Sequence, residues 1–273
     1  MKKQKVQNVL KHIVCILLCL TVVLPFYMVL INSFKDKGEA ARMSLALPTK
    51  WVFSNYAEVI KKGNLIQGFA NSLLYALVAT TLGVVLCAMA AFVMCRNRTK
   101  LNTFLYYFVL CGLFFPVNYV TLVRVLSTLN LNDTRAGIVM VFTSAMIPFC
   151  VFTIRNFVIS IPVELDEAAV IDGAGPLSLF FKIIMPIMKP AYASMAVLVG
   201  MGAWNGLLWP LLVISSMKKY TIPLGLNTLF TPYGNNYDLM ITGSCFAILP
   251  LLLLYLLAQR FIIEGMTAGS VKG

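Results

Sequence analysis

Six long runs without a charged residue dominate the pattern of hydrophobic and polar positions in this chain. The shortest run, residues 136–154, is 19 residues long, and a helix needs about 20 predominantly apolar residues to cross the hydrocarbon core of a bilayer. The pattern therefore predicts six membrane-spanning helices, at 13–32, 72–95, 103–124, 137–156, 191–215 and 240–261. Because little chain remains for a second core, residues 1–273 are predicted to form a single transmembrane domain.

Composition and charge agree with a membrane protein and add an orientation. Of the 273 residues, 60% are hydrophobic and 12% are charged, whereas a soluble domain carries about a quarter charged residues. The net charge is +12, but apolar runs separate the basic residues, so membrane lipid and not nucleic acid is the predicted partner. The basic N-terminus and the turn with Arg96, Arg98 and Lys100 favour the cytoplasm, and six crossings then place both termini there.

Candidate chemistry within the chain is sparse. The seven cysteines all lie in or beside the apolar runs, and the single histidine, His12, lies outside the predicted spans, so no metal site is predicted. The sequence has no Gly-Lys dipeptide and therefore no phosphate-binding P-loop, so ATP must be bound by another chain. The predicted spans contain no Asp, Glu or His that could relay protons, which argues against a proton symporter and leaves sodium coupling open.

Residues 159–190, named the acidic loop here, break the basic character of the chain. Pro162 suits the first position of a helix, and the helix dipole favours acidic residues in the first turns. Gly173 and Gly175 permit a sharp turn, after which Pro176 can open a second helix that ends before Pro186. Residues 160–185 contain four acidic residues and one basic residue: Glu164, Asp166, Glu167, Asp172 and Lys182. The pattern predicts a helix-turn-helix that meets a basic partner, with a solvated amphipathic loop as the alternative.

A possible substrate path lies in the fifth predicted span. Asn205 and Trp209 are four residues apart and would share one helical face, which Trp204 could border. An asparagine facing lipid is costly, so Asn205 should face the other helices or a wet cavity. The alternative is that Asn205 bonds a neighbouring helix while both tryptophans pack as core or interface anchors. Asn118 and Tyr119 are weaker candidates of the same sort.

Several motifs resemble one family of membrane proteins. The run Glu167-Ala168-Ala169, followed by Asp172-Gly173-Ala174 and then Ile183 and Pro186, resembles the EAA loop of bacterial ABC importer membrane subunits. Residues 204–210, 220–226 and 264–273 are similar to the shorter permease of maltose-type oligosaccharide importers. The resemblance covers essentially the whole chain. It implies an all-α membrane protein of the type I importer permease fold, with six transmembrane helices and a cytoplasmic coupling helix-turn-helix.

The resemblance also implies which residues couple the permease to its ATPase. They are Glu167, Ala168, Ala169, Asp172, Gly173 and Ala174. Glu167 would meet a basic group of the ATPase, the two alanines after it would allow close helix approach, and Gly173 would make the turn. The pair Gly175-Pro176 departs from the family pattern and can stiffen this turn.

The implied function is that of a permease subunit for a sugar, specifically an oligosaccharide, in the bacterial plasma membrane. The implied partners are a homologous sister permease, a dimeric cytoplasmic ATPase that holds ATP and Mg, and an extracellular sugar-binding protein. This chain would bind no cofactor and would not itself be an enzyme. ATP binding and hydrolysis would drive alternating access, and residues 264–273 would make a second contact with the ATPase. The alternatives are a sodium-coupled secondary transporter, a channel subunit or a membrane scaffold, none of which needs the acidic helix-turn-helix.

Overall fold

The computed structural model describes residues 2–115, 117–230 and 236–268, and every regular element in these ranges is a helix. The first seven helices are α1 (Lys2–Asn32), α2 (Lys37–Ala41), α3 (Ser54–Lys62), α4 (Leu65–Arg96), α5 (Lys100–Cys111), α6 (Tyr119–Thr128) and α7 (Arg135–Ser160). The remaining α-helices are α8 (Glu164–Ile171), α9 (Pro176–Ser178), α10 (Met185–Ile187), α11 (Lys189–Asn205), α12 (Leu208–Val213), α13 (Ile222–Asn227) and α14 (Tyr237–Ala268). A π-helical segment, Leu179–Ile184, joins α9 to α10, and a short 3₁₀ helix spans Met217–Lys219. The predicted all-α fold class is confirmed.

The chain divides into two compact units, and the first comprises Met1–Ile66 and Gly225–Pro250. Several of its buried residues are polar. The backbone carbonyl of Ser33, just after α1 ends, accepts hydrogen bonds from Asn55 (3.1 Å) and Thr242 (2.9 Å). Lys35 is 1% exposed and donates from Nζ to the Asn32 side chain and twice to Ser44. These bonds satisfy backbone and ammonium groups that would otherwise be buried without partners.

The second unit comprises Gln67–Leu224 and Leu251–Gly273. A large apolar cluster in it joins α4, α5, α7, α8, the π-helical segment and α11. Ala88 and Ala91 of α4 and Val158 of α7 belong to this cluster, and so do Ala169 of α8 and Ile184 of the π-helical segment. The acidic loop is therefore packed onto the ends of the long helices through its own apolar residues.

Three helices of the described residues are long and apolar enough to cross a membrane: Leu10–Asn32, Leu65–Arg96 and Arg135–Ser160. They contain the first, second and fourth predicted spans. A fourth crossing is possible in the pair Pro176–Ile187 and Lys189–Asn205, which is bent by 79°. α14 contains the sixth predicted span. The assignment of residues 1–273 to one membrane domain stays a prediction.

The third predicted span, 103–124, is wrong as a single helix. α5 ends at Cys111, and α6 begins at Tyr119 after Asn118, whose side chain accepts a hydrogen bond from the Thr121 N–H at 3.0 Å. An asparagine in this role stabilises a helix start. The sequence also places Pro116 in the interruption, and proline cannot donate a helical hydrogen bond.

Candidate functional site

The first half of the acidic loop forms the predicted helix and turn. α8 carries Glu164, Asp166 and Glu167 in its first turn, where the helix dipole favours carboxylates. Pro162 lies two residues before the helix and not at its first position. The helix ends at Ile171 and is capped by Asp172, and the next residue, Gly173, has φ +84°. A Cβ there would meet no atom within 4 Å, so glycine is required for its backbone angle and not for space.

The helical stretch in the second half of the acidic loop is longer than predicted. Pro176 begins a helical stretch as expected, but the stretch continues through Pro186 to Ile187. The π-helical segment explains the difference, because the Met185 N–H bonds to the carbonyl of Phe180, five residues back. The widened turn relieves the clash that a proline ring makes with the preceding turn of an α-helix.

The structure separates the six predicted coupling residues by exposure. Glu167, Ala168, Asp172 and Gly173 are exposed, Ala174 is half-buried, and Ala169 is 5% exposed. Ala169 packs in the apolar cluster of the second unit. Its small side chain therefore lets α8 approach the core of its own chain, which corrects the role predicted for it at the partner surface.

Exposed apolar side chains accompany the carboxylates on the acidic loop. Val170 is 60% exposed, Ile171 is 84% exposed and Leu177 is 66% exposed. Sequence reasoning missed this feature, although the apolar residues stand between Glu167 and Asp172 and just beyond the turn. An apolar centre bordered by carboxylates suits a partner groove with an apolar floor and a basic rim.

The remaining carboxylate of the first turn, Asp166, has a different environment. Its Oδ2 lies 2.6 Å from Nε of Arg96, and Nη2 of the same arginine lies 3.4 Å from Oδ1. The Nε–H does not point along a hydrogen bond, so this closest approach is a charge contact. Nη2 also donates to the Ile161 carbonyl at 3.0 Å. Both charged side chains are 13% exposed, and sequence reasoning did not pair these residues.

The predicted substrate path is divided by a helix break. α11 ends at Asn205, Gly206 is extended, and α12 begins at Leu208. Asn205 and Trp209 therefore lie on separate helices, and the prediction that they share one helical face is wrong. The cause is Pro210, whose ring would clash with the carbonyl of Gly206 in a continuous helix.

The two tryptophans have different surroundings. Trp204 is 5% exposed and packs edge-on against Phe69, with ring centroids 5.5 Å apart. Trp209 is half-buried, lies 5.2 Å from the ring of Tyr119, and lines a cavity of about 280 Å³ together with side chains of α7 and α11. Asn205 is exposed. Asn205 is thus exposed and Trp209 partly so, whereas Trp204 is a core residue.

The chain that follows Trp209 is held by Asp133. Its carboxylate accepts hydrogen bonds from the backbone N–H groups of Ser215 (3.0 Å) and Ser216 (2.9 Å), from the Ser216 hydroxyl, and from Lys219 Nζ at 2.9 Å. These bonds, those of Ser216 first, hold the pKa of the Asp133 carboxyl well below its usual range. The Asp133 N–H donates to the carbonyl of Val213, the last residue of α12, at 2.8 Å. These bonds of Asp133 to residues 213–219 are called the Asp133 latch. Sequence reasoning missed the latch because its parts are about 80 residues apart.

Metal ligands do not gather in the parts of the chain that the structure describes: no group of three or more His, Cys, Asp or Glu side chains could hold an ion there. Residues 269–273 of the predicted C-terminal contact lie outside the described residues.

Comparisons with known proteins identify relatives over most of the chain. The model of a family described as binding-protein-dependent transport system inner membrane component matches residues 83–266. The arabinooligosaccharides transport system permease protein AraQ of Bacillus subtilis (strain 168) is 34% identical over 263 residues, which cover 94% of this chain and 93% of AraQ. The probable starch degradation products transport system permease protein AmyC of Thermoanaerobacterium thermosulfurigenes is 32% identical over the full length of both chains.

Solved structures share the fold. A chain from the crystal structure of a bacterial ABC transporter involved in the import of the acidic polysaccharide alginate matches with a TM-score of 0.83 and 19% identity, covering 95% of this chain and 98% of that one. A chain of the MetNI methionine ABC transporter matches with a TM-score of 0.56 and 16% identity, over 74% of this chain and 95% of that one. At these identities the likeness concerns the fold alone.

Proposed function

The chain belongs to the family of binding-protein-dependent transport system inner membrane components, and from this premise we propose that it imports an oligosaccharide. As a member of this family it is a permease subunit of an ABC importer, and the ATPase is a separate chain. The proposed cargo is supported by the names of AraQ, of AmyC, and of the diacetylchitobiose uptake permease NgcG of Streptomyces coelicolor, 31% identical over 96% of this chain.

The proposed complex has four kinds of protein. This chain pairs with a homologous sister permease, both stand on a dimeric ATPase that holds ATP and Mg, and an extracellular binding protein delivers the sugar. The six crossings proposed for the chain place the acidic loop and both termini in the cytoplasm, in agreement with the basic turn around Arg98.

The acidic loop is suited to transmit movement of the ATPase. It connects α7, which ends at Ser160, directly to α11, which begins at Lys189. Side chains of both helices line the cavity beside Trp209. A displacement of the docked α8 is therefore passed to the two helices that border the candidate path, and alternating access follows from their movement.

The exposed surface of α8 and its turn is the observation that carries this proposal. It combines Glu167 and Asp172 with the apolar Val170 and Ile171. A sodium-coupled carrier or a channel would leave this surface without a partner.

Reversal of the charge at Glu167 tests the docking role. In a reconstituted complex, Glu167→Arg should lower ATP hydrolysis stimulated by sugar-loaded binding protein about tenfold, while the permease still inserts into the membrane. Glu58→Arg, on the exposed face of α3, is the matched control and should leave stimulation unchanged. Normal coupling in Glu167→Arg, or uptake by ATP-depleted vesicles on a sodium gradient, would contradict the proposal.

The C-terminal contact is proposed on the sequence resemblance of residues 264–273 alone. Deletion of residues 266–273 should weaken co-purification of the ATPase or its stimulation by binding protein. Unchanged assembly and unchanged coupled hydrolysis would remove this contact from the proposal.

A further inference from the structure

We propose that Arg96 and Asp166 are positioning residues that hold α8 at a fixed orientation on the long helices and thereby determine how much ATPase movement reaches the transport path. This inference rests on the proposed function. It concerns two residues that do not belong to the exposed docking surface.

Burial distinguishes Asp166 from the other carboxylates of α8. Glu164 and Glu167 are exposed, whereas the side chain of Asp166 is 13% exposed. A carboxylate that only made the loop soluble, or only met a basic partner, would be exposed. Burial of a charge without a partner is costly, so the position of Asp166 depends on the charge that faces it.

The guanidinium of Arg96 joins three helical elements at one point. Arg96 is the last residue of α4, Ile161 is the C-terminal cap of α7, and Asp166 is in the first turn of α8. One planar group contacts both carboxylate oxygens of Asp166 and the carbonyl of Ile161. A lysine could not make this set of contacts, because its ammonium is a point charge without the fixed geometry of the arginine fork.

The other contacts of α8 and the acidic loop with the long helices, close to the ion pair, are apolar. Ala169, one turn along the helix, packs in the same cluster as Ala91 of α4 and Val158 of α7. Phe92 of α4 lies 5.6 Å from the ring of Phe180 in the second half of the acidic loop. Apolar packing of small side chains resists separation but tolerates rotation and sliding, whereas an ion pair with directed hydrogen bonds defines one arrangement.

Loss of the pair should therefore affect transmission more than docking. Glu167, Asp172, Val170 and Ile171 would still be exposed on α8, so the ATPase could still bind. The helix would however be free to pivot against α4 and α7. Movement of the ATPase would then displace the helices that line the cavity by a smaller distance.

The experiment uses the assembled importer with its sister permease, ATPase and binding protein. Asp166→Asn and Arg96→Gln are compared with the double exchange Arg96→Asp/Asp166→Arg and with Glu58→Gln, which breaks the exposed Glu58–Lys62 pair. Co-purified ATPase reports assembly, and the stimulation of ATP hydrolysis by sugar-loaded binding protein, divided by the amount of assembled complex, reports transmission. We expect each single variant to lower stimulation per complex about tenfold, the double exchange to recover most of it, and Glu58→Gln to have no effect.

Each result decides the inference. Single variants that reduce the amount of complex but keep normal stimulation per complex would show a merely structural role and overturn it. A double exchange no better than the single variants would also overturn it, and if the single variants fail to assemble, the double exchange alone decides. Failure of the proposed function itself would be recognised differently, since the unsubstituted chain would then show no ATPase association or no stimulation.

Discussion

The ion pairs Arg96–Asp166 and Asp133–Lys219 use the same kinds of charge in different surroundings. The first has side chains 13% exposed, and the second has side chains 30% and 31% exposed. In the first pair Asp166 is held by the arginine, whereas in the second pair Asp133 accepts hydrogen bonds from the backbone N–H groups of Ser215 and Ser216 in addition to the lysine. A buried ion pair depends on both partners, but a carboxylate that binds backbone N–H groups can lose one cation and keep its position.

The largest expected effect is that of Arg96→Gln. Removal of the cation leaves the buried carboxylate of Asp166 without its partner, which should reduce the free energy of unfolding by about 3 kcal/mol. Unfolding of the purified permease in mixed micelles measures this change. Arg98→Gln, an exposed arginine two residues later, is the matched control. Equal effects of the two substitutions would contradict a special role for the buried pair.

Asp133→Ala should have the next largest effect, and a more local one. It leaves the N–H groups of Ser215 and Ser216 without their acceptor, at a cost of about 2 kcal/mol. Hydrogen exchange of these amides should then accelerate about 30-fold. Lys219→Gln keeps the acceptor and should accelerate exchange only a few-fold, at a cost of roughly 1 kcal/mol or less. The comparison fails if the lysine substitution matches the aspartate substitution.

Acid should weaken the Asp133 latch. Because folding lowers the pKa of this carboxyl, its stabilisation is fully present above the ordinary value near pH 4 and is lost as the pH falls from there toward the lowered value. The difference in melting temperature between the unsubstituted chain and Asp133→Asn should therefore be constant from about pH 7 to about pH 5 and shrink below about pH 4. A difference that already shrinks above about pH 5 would assign the titration to another group.

The smallest effect is expected for Glu58→Gln in α3. The Glu58–Lys62 pair has side chains 45% and 54% exposed, and such a pair contributes roughly 0.3 kcal/mol. Thermal unfolding in a buffer of low ionic strength is the measurement. A destabilisation as large as that of Arg96→Gln would mean that burial is not what separates the pairs.

Much of the fold and part of the candidate site follow from local sequence. The long runs without charged residues predicted the helices that contain residues 13–32, 72–95 and 137–156, because a chain segment that crosses a bilayer must satisfy its backbone hydrogen bonds internally, as a helix does. Gly173 was predicted to make the turn because glycine adopts backbone angles that other residues avoid. In the structure its φ is +84°. The break at Gly206 was missed although Pro210 is visible in the sequence, because a proline in a membrane helix can also produce only a kink.

Sequence alone therefore determined the all-α membrane class, the acidic helix and turn at Glu164–Gly173, and the family resemblance, all of which depend on residues near one another in the chain. Only the tertiary structure decided that Ala169 faces the core while Glu167 is exposed, that Asp166 is paired with Arg96, and that Asp133 holds the segment after Trp209. These three outcomes join residues roughly 70 or more positions apart, or depend on which side of a helix packs inward. A pattern of residue types carries no record of such pairings, since an exposed and a buried aspartate are the same letter until the chain folds.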